Sequence, residues 1–273
     1  RVLYEMQDLG LAATELGSDG YLPTAPCELR EVCARYDLEM IGGFGPGVLH
    51  DPAQRDASLA AAERAAALMG GAGGHLFITS MVTSFDWAPR VEIDAAAWDY
   101  AAAMLDEIEE IVAAHGMSQA IHPHLGTMIE RPSDVKNVLE RSQVGWTFDM
   151  GHVMIGGYDP VEFLADARDR IVHVHLKDVH LDLAAPVLCG EQSIMQGVQN
   201  GMFCPMGDGD VPVAEVVTEL ERSGYDGWYV LEQDAAITDG EPAPGEGPKV
   251  DVLRSIEYLR AINAEFTAGQ KAS

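Results

Sequence analysis

The feature that most constrains this chain is an alternation. Short runs rich in β-branched and aromatic residues recur along it, each followed by a longer stretch with helical spacing. Residues 11–17, 38–44, 75–80, 119–121, 144–148, 171–176 and 228–231 read as strands. Residues 1–9, 26–36, 51–70, 93–114 and 212–222, two stretches opening at Pro132 and at Asp159-Pro160, and residues 250–264 read as helices. Strand following helix in this way means parallel βαβ units. A doubly wound open sheet normally shows a glycine-rich phosphate turn after its first strand, and no G-x-G-x-x-G stands there. The remaining architecture is a parallel (β/α)8 barrel. With seven strands, eight helices and a helix at the start, the expectation is that a first strand precedes Arg1.

The helices carry their own punctuation. Asp51-Pro52 and Asp159-Pro160 each place an N-cap acid before a proline at the first helical position. The stretch 93–114 sets Trp98, Ala101, Leu105, Ile108 and Val112 on one stripe. Gly10 and Gly116 close helices, and the Ala-rich helix after Asp51 is expected to stop at Gly70-Gly71. Residues 179–211 are the longest stretch without a regular pattern, which reads as a functional lid or a partly disordered segment, and contain the turn 207–210. Residues 235–248 are an acidic, Pro/Gly-containing loop. One domain over 1–264 with a frayed tail over 265–273 is expected, and 273 residues suffice to bury a sizeable core.

The ends of the strands are unusual. Residues 171–176 alternate β-branched residues with His173 and His175, which period-2 geometry sends to one side, and then break into Lys177-Asp178. By itself this is equally an edge strand with a solvated face. However, the strand at 144–148 runs into Asp149 with His152 just beyond, 228–231 runs into Glu232 and Asp234, and 119–121 runs into His122-Pro123-His124. In a (β/α)8 barrel the active site is built at the C-terminal strand ends. His122, His124, Asp149, His175, Lys177 and Glu232 would then arrive from four successive strands at one mouth. Imidazole with carboxylate is a ligand set for a divalent metal such as Mn, Co, Zn or Mg. A lone strand-end histidine is more often a surface or hydrogen-bonding residue. Four strands ending alike are harder to explain by chance.

Net charge narrows the partners. At −27 the surface repels phosphate backbones and argues against nucleic acid. The four cysteines form no CxxC pair, which fits a reducing cytoplasm, and no apolar run reaches the roughly 18–20 residues of a membrane span. No charged start followed by an apolar signal segment is present either, so a soluble cytoplasmic protein is expected.

Six blocks carry a resemblance: TELGSDGYLP (14–23), HPHLGT (122–127), FDMGH (148–152), HVHLKDV (173–179), FCPMGDGDV (203–211) and GYDGWYVLEQD (224–234). Together they resemble the xylose isomerase-like TIM-barrel superfamily of sugar isomerases, epimerases and dehydratases, and within it the inosose (keto-inositol) dehydratases. The resemblance implies one divalent metal, Mn or Co ahead of Mg or Zn, held at the ends of the last four strands. On this chain those positions are His122, Asp149, His175 and Glu232. The first of them is usually Glu in the superfamily, so Glu130 and His124 stay open as alternative fourth ligands. His180 stands where the dehydratases usually have Arg.

The implied chemistry is enolate formation beside a ketone of a small polyol or sugar, followed in a dehydratase by loss of the β-hydroxyl. Glu232, His152, His124 and Lys177 are candidates for acid and base, while Glu15, His124 and Lys177 are candidates for binding substrate. Against these roles stand blander ones: Lys177 and Asp178 as a structural ion pair, Glu15 as a surface acid, Asp208 and Asp210 as turn formers. The rivals are a keto-sugar isomerase or epimerase with the same metal, an apurinic-site endonuclease disfavoured by the charge, and a non-catalytic binding barrel. Barrels of this kind often form homodimers, and the exposed aromatics are too few to place an interface.

Overall fold

In the computed structural model, which describes residues 1–17, 20–238 and 240–272, the seven strand-forming runs are realised with small shifts. They are β1 (Ala13–Glu15), β2 (Glu39–Gly47), β3 (Leu76–Met81), β4 (Ser118–Ile121), β5 (Gly145–Asp149), β6 (Ile171–Leu176) and, after a short pair β7 (Asp178–Val179) and β8 (Phe203–Cys204), β9 (Tyr229–Leu231). The sheet order is β1-β2-β3-β4-β5-β6-β9, which is chain order with the short pair set aside. Helices lie between successive strands, as parallel pairing requires. The chain divides into two compact units, Arg1–Thr147 with Asp169–Val172, and Phe148–Arg168 with His173–Ser273, the division running through β5 and β6.

In the first unit β2 pairs with β3 in parallel register, Gly45 opposite Thr79. β2 contains four glycines, and one reason is steric: a Cβ on Gly45 would lie 1.9 Å from the ring of Phe77, which is itself 1% exposed. The missing side chain gives Phe77 its place in the core. The helix Ala95–Ala114 begins where Asp94 accepts a hydrogen bond from the Ala97 amide (2.9 Å), and it buries the whole stripe from Trp98 to Val112. Gly116 follows at φ +74°.

Two helix boundaries differ from expectation. Asp51-Pro52 starts a 3₁₀ turn, Pro52–Gln54, with the Asp51 carboxylate accepting from the Ala53 amide at 2.9 Å, and the α-helix proper is Arg55–Ala72. That helix passes through Gly70-Gly71 and ends at Gly73, φ +108°. The glycine pair serves close packing instead of termination: a Cβ on Gly70 would lie 2.6 Å from the His115 carbonyl oxygen, and one on Gly71 would lie 2.9 Å from Pro26.

In the second unit Asp159 caps Pro160–Ala167 by accepting from the Val161 amide at 2.8 Å. The patternless stretch 179–211 contains regular structure. It holds helices Leu181–Leu188 and Ile194–Gln199 and the antiparallel pair β7–β8. Pro186 sits inside the first helix and blurs its pattern, and the second is only six residues long, opened by a reciprocal Ser193/Gln196 capping box. Helix Val213–Ser223 ends at Gly224, φ +78°. The last helix, Pro248–Ala272, continues through the residues read as a frayed tail, Ser273 lying outside the described residues. Among the described residues no helix is long and apolar enough to cross a membrane.

Candidate functional site

The expected acids and imidazole of the second unit stand at the ends of three strands. β5 closes on Asp149, β6 carries His175, and β9 runs into Glu232, whose amide donates to the Leu176 carbonyl at 3.2 Å and so locks it beside β6. Asp149 and His175 are both 0% exposed. One ligand-type atom from each of Asp149, His175 and Glu232 lies within 4.8 Å of the others. His175 Nδ1 is 3.2 Å from Glu232 Oε1 and 4.0 Å from Asp149 Oδ2. The other oxygen of Asp149, Oδ1, accepts from the His152 amide at 2.8 Å and caps the helix Met150–Ile155. Capping thus fixes the carboxylate so that Oδ2 faces the imidazole. His173 lies 5.2 Å from His175, ring to ring, and is 2% exposed, so β6 is no solvated edge strand.

Lys177 completes the cluster. Its ammonium is 2.9 Å from Glu232 Oε2 and 2.5 Å from Asp234 Oδ2, with the whole side chain 1% exposed. Glu232 therefore divides its two oxygens, Oε1 toward His175 and Oε2 toward Lys177. Gly151 admits the lysine stem, because a Cβ there would lie 2.9 Å from Lys177 Cγ. Phe203 sits over the ammonium at 4.7 Å and places its ring edge-on to His152 at 5.7 Å.

The electrostatics follow from burial. Desolvation pushes Asp149 up to about 7, with Glu232 adding to the rise and Lys177, His175 and the His152 amide opposing it. Burial alone would lower Lys177, but Glu232, Asp149 and Asp234 outweigh it and hold the ammonium above the usual lysine range. The donor set fits a divalent cation. An ion about 2 Å from each of several N and O donors needs those donors a few ångströms apart, and a buried carboxylate that burial drives toward protonation gains most from a cation.

The blander reading of Lys177-Asp178 as an ion pair is not what the structure holds. Asp178 turns away from Lys177 and accepts backbone amides: Val179 at 2.8 Å, Gly207 at 2.9 Å, Gly209 at 3.0 Å and Val211 at 3.1 Å. Asp208 pairs with Arg254 at 2.6 Å, and Asp210 accepts from the Leu181 amide at 2.8 Å, so these acids tie the turn to neighbouring helices. His180 precedes the helix Leu181–Leu188, its amide donating to the Met202 carbonyl at 2.9 Å.

The remaining candidates belong to the first unit. His122 follows β4, is 0% exposed, and packs edge-on to Phe44 at 5.2 Å and tilted against His124 at 5.5 Å. His124 Nδ1 lies 2.7 Å from the Leu125 carbonyl oxygen. Glu130 accepts from the Gly126 amide at 2.6 Å, which fixes the turn after the two histidines and commits one of its oxygens. Glu15 ends β1, half-buried, while Ser18 and Asp19 of its block lie outside the described residues. Sequence reasoning gave no role to Asp234, Phe203 or Gly151. All three lie within the quoted blocks, which was the available signal.

Comparison with known proteins agrees with this geometry. Residues 3–262 match the Xylose isomerase-like TIM barrel family. The rhizopine catabolism protein MocC of Rhizobium meliloti is 30% identical, the match covering 88% of this chain and 76% of that protein. The inosose dehydratase of Geobacillus kaustophilus is 30% identical, covering 99% of this chain and 89% of its own. Among solved structures, a D-tagatose 3-epimerase-like protein superposes with a TM-score of 0.69 at 19% identity, covering 96% of this chain and 91% of that one. The probable 3-DHS dehydratase AsbF of Bacillus anthracis gives 0.71 at 16%, covering 95% and 92%, and these two likenesses speak to the fold. Strand order, family match and near full-length kinship agree: the chain belongs to the xylose isomerase-like TIM-barrel family of enzymes.

Proposed function

We propose that this chain is a divalent-metal-dependent dehydratase acting on a keto-inositol or a similar cyclic keto-polyol. The observation that carries the reading is the buried Asp149, His175 and Glu232 set, found in a chain 30% identical to an inosose dehydratase over 99% of its length. His122 is the proposed fourth ligand, with Mn or Co as the metal. Bound there, the metal supplies a Lewis acid for a ketone oxygen and its neighbouring hydroxyl.

The protein's own groups do the rest. Burial favours the neutral form of Asp149 while Lys177 and His175 oppose that shift, and the His152 amide holds the carboxylate in its orientation. Glu232 is oriented by Lys177, which takes up the charge on its outer oxygen. Removal of the α-proton needs a base and loss of the β-hydroxyl as water needs an acid. His152 and Lys177, both buried beside Phe203, are the proposed pair from the second unit, with His124 and Glu232 the further candidates. Glu15 is proposed to hydrogen-bond substrate hydroxyls. The free thiols Cys27, Cys33, Cys189 and Cys204 support placement in a reducing cytoplasm.

The test is an ultraviolet time course of keto-inositol with protein and Mn or Co, beside an EDTA-treated sample. Dehydration yields a 1,2-dione that can enolise into conjugation, so absorbance should grow only with metal and should vanish in Asp149→Ala. A flat trace from protein shown to hold metal would sink the dehydratase and leave an isomerase or epimerase. A flat trace from protein that takes up no metal would favour a binding barrel.

A further inference from the structure

The short pair β7–β8 has no part in the main sheet, yet it delivers one side chain to the charged cluster. Val179 pairs with Phe203 and Asp178 with Cys204. The buried Asp178 carboxylate gathers the amides of Gly207, Gly209 and Val211, which fastens the turn after β8. Gly209 must lack a side chain for this, because a Cβ would lie 2.3 Å from Asp178 Oδ1. Phe203 is thereby held with its face 4.7 Å from Lys177 Nζ and its edge toward His152. The lysine stem also runs close to Gly151, where a Cβ would lie 2.9 Å from Lys177 Cγ.

We propose that Phe203 is a positioning residue whose ring face fixes the Lys177 ammonium, and through it the orientation of Glu232. An ammonium has three donors, and Glu232 Oε2 and Asp234 Oδ2 engage it from two directions. A cation with only two carboxylate partners can swing between them. The negative face of an aromatic ring supplies a third attractive wall that excludes water and offers no competing acceptor. Lys177 then stays against Glu232 Oε2, and Glu232 Oε1 stays on the His175 side, 3.2 Å from Nδ1. The importance of this for turnover rests on the dehydratase reading, whereas the contact itself does not.

The experiment separates the two. In full-length protein labelled with ¹³C,¹⁵N-lysine, the Lys177 ε-methylene protons should be shifted upfield by the ring current. They are identified by their loss in Lys177→Arg. Phe203→Leu should abolish that shift while Phe203→Tyr retains it. Steady-state assays on keto-inositol should show Phe203→Leu lowering kcat by about thirtyfold, the size of one desolvated cation–π contact, with metal content unchanged. Introducing phenylalanines with one, two and three ring fluorines at position 203 should lower log kcat in steps, since each fluorine drains the ring face without changing its fit. An unshifted lysine signal in the unsubstituted protein, or a fluorinated series with constant kcat, overturns the proposal. If keto-inositol is not turned over while the ring-current shift is present and lost in Phe203→Leu, the dehydratase reading fails and the positioning contact stands.

Discussion

A carboxylate with no exposed surface needs donors, and Asp178 and Asp149 meet that need differently. Four backbone amides at 2.8 to 3.1 Å receive Asp178. Replacing it with Ala leaves the amides of Gly207, Gly209 and Val211 without their acceptor, so Asp178→Ala should cost at least about 3 kcal/mol in urea unfolding. Asp178→Asn, which keeps one acceptor oxygen, should cost less, and equal losses would refute the cage. Asp149 accepts from the His152 amide and lies beside charged groups, and burial raises it to about 7. An unfolded aspartate titrates near about 3.9, so the folded metal-free protein binds this proton more tightly. That contribution to stability is full below the unfolded value and is lost as pH rises through about 7. Urea midpoints in EDTA should therefore fall more between pH 5 and 8 for the unsubstituted protein than for Asp149→Asn. Parallel slopes would remove Asp149 as the cause. Asp149, His175 and Glu232 were legible in the sequence because their chemistry is in their side chains and each lies at or beside the C-terminal end of a strand. The role of Asp178 was not, because its partners are main-chain amides that any residue possesses.

Elements were readable where one period dominates. The stripe from Trp98 to Val112 sits in the core as its spacing requires. Glycines misled where they served contact instead of conformation: Gly70 and Gly71 lie inside a helix because neighbouring chain comes too close for a Cβ. Residues 181–199 were illegible for another reason, since helices of eight and six residues, one containing Pro186, carry too few turns to show a period. The same steric logic gives a prediction in β2. Gly45→Ala drives a methyl into the buried Phe77 ring and should cost about 1–3 kcal/mol of stability. Phe77→Leu combined with it should cost less than the two single changes added together, and simple additivity in a double-mutant cycle would show that the two sites do not meet.

At the scale of the whole chain, alternation was enough to anticipate seven parallel strands in chain order, because right-handed βαβ connections leave few other arrangements. The division into two compact units had no such signal, since it runs through β5 and β6 and not through a linker. Composition also set an imbalance, 44 acidic against 17 basic residues, and only four of the basic ones are lysines: Lys136, Lys177, Lys249 and Lys271. Lys136 is exposed and Lys249 half-buried, whereas Lys177 is 1% exposed between two carboxylates. An amine-acylating reagent followed by mass spectrometry therefore has a built-in clock. Lys136 should react within the mixing time, and Lys177 should react only as fast as the second unit opens, slower still when a divalent cation is added. Its acylation rate reads out how often the interior of this enzyme is exposed to solvent, with no substrate required.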